Sequence, residues 1–588
     1  MFKERAAAAV ALIAAFIGVA GAADTSGKIT GTIEDRTGKP VPQANVTLTG
    51  RATGVKRTTQ ADAQGAFAFP AGTAGTYELA VTGEGLRPVE RTGLIIDRAN
   101  ASLQLEILLE VATYGSADPS ASPDNTQPAG PDDTGFGFPG SLSRIGRHDD
   151  HDETWNFYGQ FTTIGFYKPP FHAAYTDLNG SNSSLRPNTE TSFTSTLSLF
   201  FGLRLRPGTE LYIVPEAIAE TTLSNLKGLG GATENFELQK VGALRPTAYR
   251  SQYLVRQTFG FGGQSLELPS GQMQLGEHAD SRRLVFTVGN FSALDIFDKN
   301  NVIGDLRKSF FDEAFMTYPA WDFPADARGY SIGAAAEFYW DQWAVRFMRS
   351  MPPVEPNSQT LNFQPFKYYG DQVEFEHDHV LFGGQAGAVR LLLYRNHELM
   401  GRFADAIAAF EANPAEDNAA NCGNLYNYGS VNANAPDLCF VRKANVKVGI
   451  GVNAEQSITP NIGVFMRAMY SDGKSEVEAY DSADRSASIG AVVKGTLWGQ
   501  PLDSVGFGAG TSWISAIHAK YLEMGGVDGF IGDGALTKGN EDMTEIWYSR
   551  HIVRSVSVSF DYQHVWNPGY NGARGPVNLF GGRFHFEF

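Results

Sequence analysis

From Trp155 to the C-terminus, apolar and polar side chains alternate with a period of two. Phe193, Leu197, Leu199, Phe201, Leu203 and Leu205 share one parity; Thr194, Thr196, Ser198, Gly202 and Arg204 share the other. The same division sets Tyr330, Ile332, Ala334, Ala336, Phe338 and Trp340 against Ser331, Gly333 and Glu337. It recurs where Val446, Val448, Ile450 and Val452 oppose Lys447, Asn453 and Glu455. Successive strand residues point to opposite faces, so each segment carries one apolar and one polar side. The pattern predicts about sixteen strands. The first eight lie near 155–166, 193–205, 210–219, 248–259, 283–291, 329–340, 343–350 and 370–378. The rest lie near 386–396, 444–456, 461–471, 485–498, 503–514, 543–549, 553–565 and 577–588.

The connections sort themselves by length. Tight ones follow the even segments, as at Arg206-Pro207-Gly208-Thr209, Asp341-Gln342, Thr459-Pro460, Gln500-Pro501 and Arg550-His551-Ile552. Those after the odd segments are generally longer, as in 292–328 and 397–443, while 260–282 is longer than the rule wants. Short turns alternating with long loops on an even strand count predict an all-β fold, an antiparallel transmembrane β-barrel of the bacterial outer membrane. Both ends of the barrel segment then fall on the short-turn, periplasmic side. A soluble sandwich or propeller would also alternate, so the chain's two ends decide between them. At the N-terminus, Lys3 and Arg5 precede the apolar run 6–19, and Ala20-Gly21-Ala22 offers small residues for cleavage. Residues 1–22 therefore read as a signal peptide. At the C-terminus, Phe584, Phe586 and Phe588 alternate with Arg583, His585 and Glu587. A period-two strand ending in an aromatic residue looks like the assembly signal of outer-membrane barrels, and implies the barrel assembly machinery as a partner. No apolar run after the signal peptide is long enough for a membrane helix.

Residues 25–111 alternate short β-rich runs with Gly and Pro turns, the pattern of a small β-sandwich. The spacing from Gly31 through Asp35, Gly38, Pro40-Val41, Ala44 and Val46 to Leu48, followed by Asp62-Ala63-Gln64-Gly65-Ala66-Phe67, resembles the carboxypeptidase-regulatory-like domain. That family is structural and interaction-making, and the resemblance implies a partner in the periplasm rather than catalysis. Residues 112–153 are rich in Pro, Gly, Ser and Asp and read as a flexible linker into a barrel of 154–588. The tract Arg147-His148-Asp149-Asp150-His151-Asp152-Glu153 within it reads as solvated charge rather than a metal site.

Several barrel stretches resemble the carbohydrate-selective porins of the OprB type. They include Trp155-Asn156-Phe157-Tyr158-Gly159-Gln160 and Leu203-Arg204-Leu205-Arg206-Pro207-Gly208. Others are Val288-Gly289-Asn290-Phe291 with Asp295-Ile296-Phe297-Asp298, and Gly529-Phe530-Ile531-Gly532-Asp533-Gly534. Asn567-Pro568-Gly569-Tyr570 with Arg574-Gly575-Pro576-Val577 completes the set. The resemblance implies a sixteen-strand pore passing sugars by diffusion. The fused sandwich and linker depart from it.

Composition sharpens the picture in two respects. The net charge of −17 argues against nucleic acid as a partner. Two cysteines, Cys422 and Cys439, lie close together in an exported chain and read as a loop-closing disulfide on the outside. Opposite the apolar faces stand Arg204, Glu216, Arg256, Glu337, Arg346, Glu374, Glu376, Arg390, Tyr394, Lys447, Glu455 and Arg467, the expected pore lining. Charges of both signs suit small neutral sugars: guanidinium donates, carboxylate accepts, and neither sign dominates. No metal or other cofactor is called for. An outer-membrane enzyme lacks support, since neither Gly-x-Ser-x-Gly nor His-Glu-x-x-His occurs. A TonB-dependent receptor would need a plug and about twenty-two strands.

Overall fold

The computed structural model describes residues 27–109, except 36–38, 51–54, 73–74, 83–88 and 97–101, and residues 153–588, except 239–242, 415–431, 433 and 480. The expected signal peptide, nearly all of the expected linker and Cys422 lie outside the described residues. The chain divides into two compact units, 1–115 and 116–588.

The first unit holds two sheets on one apolar core. β1 (Gly27–Asp35) lies between antiparallel β4 (Ala66–Gly72) and parallel β7 (Ser102–Leu109). The other sheet runs β3 (Lys56–Gln60), β2 (Asn45–Gly50), β5 (Gly75–Thr82), β6 (Val89–Ile96). Ile29, Ile33, Phe67 and Phe69 from the first sheet meet Val46, Leu48, Leu79 and Val81 from the second. Apolar residues two or four apart along these strands make this core, as period-two burial requires.

The second unit is a closed barrel of sixteen antiparallel strands. They are β8 (Trp155–Lys168), β9 (Glu190–Arg206), β10 (Thr209–Thr221), β11 (Thr247–Gly260) and, after a hairpin of β12 (Ser265–Leu268) and β13 (Glu277–Asp280), β14 (Arg282–Phe291). β15 (Ser331–Trp340), β16 (Trp343–Ser350), β17 (Tyr369–Leu381), β18 (Gln385–Met400), β19 (Lys443–Thr459) and β20 (Ile462–Ser471) follow. The last five are β21 (Arg485–Lys494), β22 (Ser504–Trp513), β23 (Glu541–Val553), β24 (Val556–Trp566) and β25 (Val577–Glu587). β25 pairs with β8 and closes the ring. Each segment expected from alternation coincides with one barrel strand. One turn is displaced: β23 runs through the expected turn at 550–552, and Val553 pairs with Val556.

Burial in the barrel is inverted relative to a soluble protein. Phe201, Ile213, Val255, Phe286, Phe347, Leu391, Ile450, Ile489, Phe507 and Phe560 are exposed, whereas Arg283, Arg346, Arg390 and Arg583 are fully buried. Exposed Phe259, Trp340, Trp343 and Trp498 ring the short-turn end, and Tyr167, Tyr470 and Trp566 the long-loop end. An apolar band between two aromatic girdles is the surface a bilayer demands, and an edgeless barrel leaves no strand amide unpaired within it.

The long connection 292–330 does not stay at the rim. Phe297, Phe310, Phe311, Phe315, Tyr318 and Trp321 on it are buried, packed with inward-facing wall residues such as Tyr394, Phe465, Met469 and Trp547. Wall glycines make the room: a Cβ on Gly508 would stand 2.6 Å from the Phe315 ring, and one on Gly463 2.7 Å from Val302. The barrel is thus filled by its own chain rather than left as an open tube.

Candidate solute pathway

The descending loop begins with a capping box. The Ser292 N–H donates to Asp295, and the Ser292 hydroxyl accepts from Leu294 N–H. This turn directs the chain inward, where wall side chains take up its main-chain polar groups. Glu374 accepts from Asp298 N–H at 2.9 Å, and Glu455 from Val302 N–H at 3.1 Å. Glu545 accepts from Phe311 and Asp312 N–H groups, and Arg583 donates to Ser309 O at 2.7 Å. A loop buried in a barrel would otherwise carry unsatisfied amides, each costing about 1–3 kcal/mol.

Between loop and wall runs a row of alternating charge across five adjacent strands. Arg346 on β16 reaches Glu337 on β15 at 3.5 Å, and Glu374 and Glu376 on β17 at 2.8 and 3.0 Å. Arg390 on β18 binds Glu376 and reaches Glu455 on β19 at 3.0 Å. Strand register sets these neighbours: Glu337 faces Arg346, Arg346 faces Glu374, and Glu376 faces Arg390.

The short-turn end is narrowed by the loop joining β12 to β13. Leu275 at its tip is fully buried, and its N–H donates to the Tyr212 hydroxyl at 3.0 Å. Asn156 donates to Gly271 O and Gln274 O, and Arg256 to Met273 O. Glu153 and Gly276 exchange bonds, with each N–H engaged by the other residue.

What stays open is a cavity of about 310 Å³ between this tip, the descending loop and the wall of β8–β14. Gln160, Glu216, Gln252 and Arg256 line it from the wall, Gln272 and Met273 from the tip, and Asp295, Lys299, Arg307, Arg328 and Tyr330 from the loop. A second cavity of about 30 Å³ lies toward the short turns, and Arg256, Gln274, Asp295, Ile296 and Lys299 border both.

The expected pore lining divides accordingly. Glu216, Arg256 and Arg467 border the larger cavity, and Arg256 and Glu337 the smaller. Arg346, Glu374, Arg390 and Glu455 stand on the inner face but are covered by the loop and bound in the charge row, so direct solute contact is corrected for these four. The same correction applies to Tyr394, which donates to Ser471 at 2.7 Å, and to Lys447, which pairs with Asp322 of the loop at 2.9 Å. Arg204 is held at the short-turn end by Glu277, Glu210 and the carbonyl of Glu153. Cys439 is disulfide-bonded. Phe584 is exposed on β25, while Phe588 sits against Phe157 at 5.7 Å and exchanges main-chain bonds with Gly159. Asp295, Lys299, Arg307 and Arg328 were not among the expected residues, because they belong to a connection without periodicity.

Residues 193–588 match the family model described as carbohydrate-selective porin, OprB family, and residues 28–110 that of the carboxypeptidase regulatory-like domain. No curated protein sequence matches the chain. Among solved structures, OprB of Pseudomonas putida at high pH superposes with a TM-score of 0.53 at 15% identity, over 74% of this chain and 94% of that one. The outer membrane channel DcaP of Acinetobacter baumannii gives 0.39 at 8% identity over 74% and 97%. OmpF of Salmonella typhi gives 0.40 at 8% over 75% and 99%. The family match spans every barrel strand but β8 and the first three residues of β9, and with them the descending loop: the chain belongs to the carbohydrate-selective porin, OprB family, of outer-membrane barrels.

Proposed function

We propose that the protein is a passive outer-membrane channel for small hydroxyl-rich solutes, sugars foremost, with its N-terminal sandwich in the periplasm. The observation that carries the reading is a cavity lined by charged, amide and aromatic side chains inside a barrel whose outer face is apolar. Its lining mixes guanidinium and ammonium donors with carboxylate and amide acceptors, and Phe200, Phe236 and Tyr330 add ring faces for a pyranose. A channel narrowed by folded loops passes single small solutes rather than bulk water with everything dissolved in it. The receptor alternative needs a plug from an N-terminal domain; here segments internal to the barrel occupy that space. The family and fold are those of a channel and not of an enzyme.

Short turns face the periplasm in barrels of this kind, which supports the periplasmic side for both ends of the barrel segment and for the sandwich that precedes it. There the sandwich has access to a periplasmic partner. Purified protein in liposomes should admit glucose down its gradient with no energy source. Liposomes that stay closed to glucose while the protein binds it tightly would sink the channel reading in favour of a gated receptor.

A further inference from the structure

The acidic and basic side chains around the larger cavity are nearly equal in number, six and five, so no bulk field favours one sign of solute. What differs is how far each is already committed. Glu216 pairs with Arg307 at 3.2 Å, Glu237 also binds Arg307, Asp298 pairs with Arg467 at 3.0 Å, and Asp305 pairs with Lys308 at 3.9 Å. Asp295 accepts from Ser292 N–H and from Gln252 at 3.1 Å. Among the described residues, Lys299 and Arg328 have no ion-pair partner. Arg328 lies over the Tyr249 ring at 4.3 Å, with its Nε buried and unbonded. Burial pulls the Lys299 ammonium below the usual lysine range, against the raising pull of Asp295 and Glu337.

Two further polar atoms on the same cavity are idle. Gln252 Oε1 and Thr287 Oγ1 belong to residues 8% and 1% exposed, and neither has a partner. A buried polar atom without a protein partner is open to water, an ion or a ligand. Two cations without an ion-pair partner, an idle amide oxygen and an idle hydroxyl on the lining of one cavity match one ligand chemistry: an anionic group on a polyhydroxylated body.

We propose that Lys299 and Arg328 form an anion-binding subsite within the channel, which selects among sugars those bearing a carboxylate or phosphate. This rests on the porin reading and narrows it. The anion engages the two cations, and the ring hydroxyls engage Gln252 and Thr287. Because Lys299 also borders the smaller cavity, the subsite stands where solute passes from one cavity to the next.

The test is block of single-channel current by glucose, glucuronate, glucose 6-phosphate and inorganic phosphate, in the full chain and in the Lys299→Gln and Arg328→Gln variants. At least one of the two sugar anions should block about tenfold more tightly than glucose, as a hydrogen bond to a charged group allows. The ratio of that anion to glucose should fall toward one in each variant. Neither side chain has an ion-pair partner to lose, so both variants should fold, which a heat-modifiable band on a gel verifies. Equal block by glucose and both sugar anions overturns the inference and leaves the porin reading standing. Inorganic phosphate blocking as tightly as glucose 6-phosphate overturns the assignment to sugars. No current, or none that any sugar blocks, overturns porin reading and inference together. A response of carboxylate alone or phosphate alone identifies which anion the subsite takes.

Discussion

Arg346 Nη1 stands 2.8 Å from Glu374 Oε1 across adjacent strands, and neither side chain has any exposed surface. In the sequence this arginine reads as a donor to passing solute; in the fold it fastens one strand to the next beneath a loop. Removing one partner of a buried pair leaves an uncompensated charge, at a cost of about 3–5 kcal/mol. Arg346→Ala should therefore lower the temperature at which the folded barrel unfolds on a gel. Arg390→Ala should do the same, since it takes the cation from Glu455 and leaves Glu376 with Arg346 alone. Unchanged stability with weakened sugar block would return both arginines to the pore lining.

The place of the descending loop depends on the smallness of its neighbours. Gly508→Val should drive Phe315 from its seat, because a Cβ there already comes within 2.6 Å of the ring. Overpacking of this kind costs about 1–3 kcal/mol, small against a closed hydrogen-bonded sheet. The barrel should still fold, and its single-channel conductance should rise as the loop leaves the lumen. Unaltered conductance would mean that the loop does not set the width of the path.

How much of this was legible follows from the range of the forces involved. Strand alternation is local, so Leu197, Phe201 and Leu203 reveal their face within seven residues of chain. The inward fold of 292–330 depends on contacts such as Asp298 with Arg467 and Lys447 with Asp322, partners more than a hundred residues apart. No periodicity announces those. Gly451, Gly463 and Gly508 on wall strands were the available signal, since a glycine inside a strand marks a close approach. The tip at Leu275 was hidden likewise: only the unusual length of 260–282 pointed to it. Fold class could thus be read from the chain, while the cavity, made where loops meet wall, could not.

Topology can be tested on intact cells. Phe366, on the connection between β16 and β17, is 91% exposed at the long-loop end. Gly383, in the β17–β18 turn, has open space around it. Phe366→Cys should react from outside with a membrane-impermeant maleimide, and Gly383→Cys only after the outer membrane is breached. The opposite pattern would invert the barrel and place the N-terminal sandwich outside the cell.

The C-terminal residue separates assembly from stability. Phe588 N–H donates to Gly159 O at 3.0 Å and Gly159 N–H returns a bond at 3.1 Å, so the last residue helps to seal β25 against β8. Two hydrogen bonds are worth about 1–3 kcal/mol together, at about 0.5–1.5 each. A barrel already closed by the rest of the β25–β8 register should survive that loss. Deleting Phe588 should therefore leave the conductance of formed pores unchanged while lowering the amount of folded protein in the outer membrane. The fall would arise before closure, when the alternating Phe584, Phe586 and Phe588 are presented for insertion. Normal abundance of the truncated chain would show that this strand end serves only the seam, and that the signal for assembly lies elsewhere.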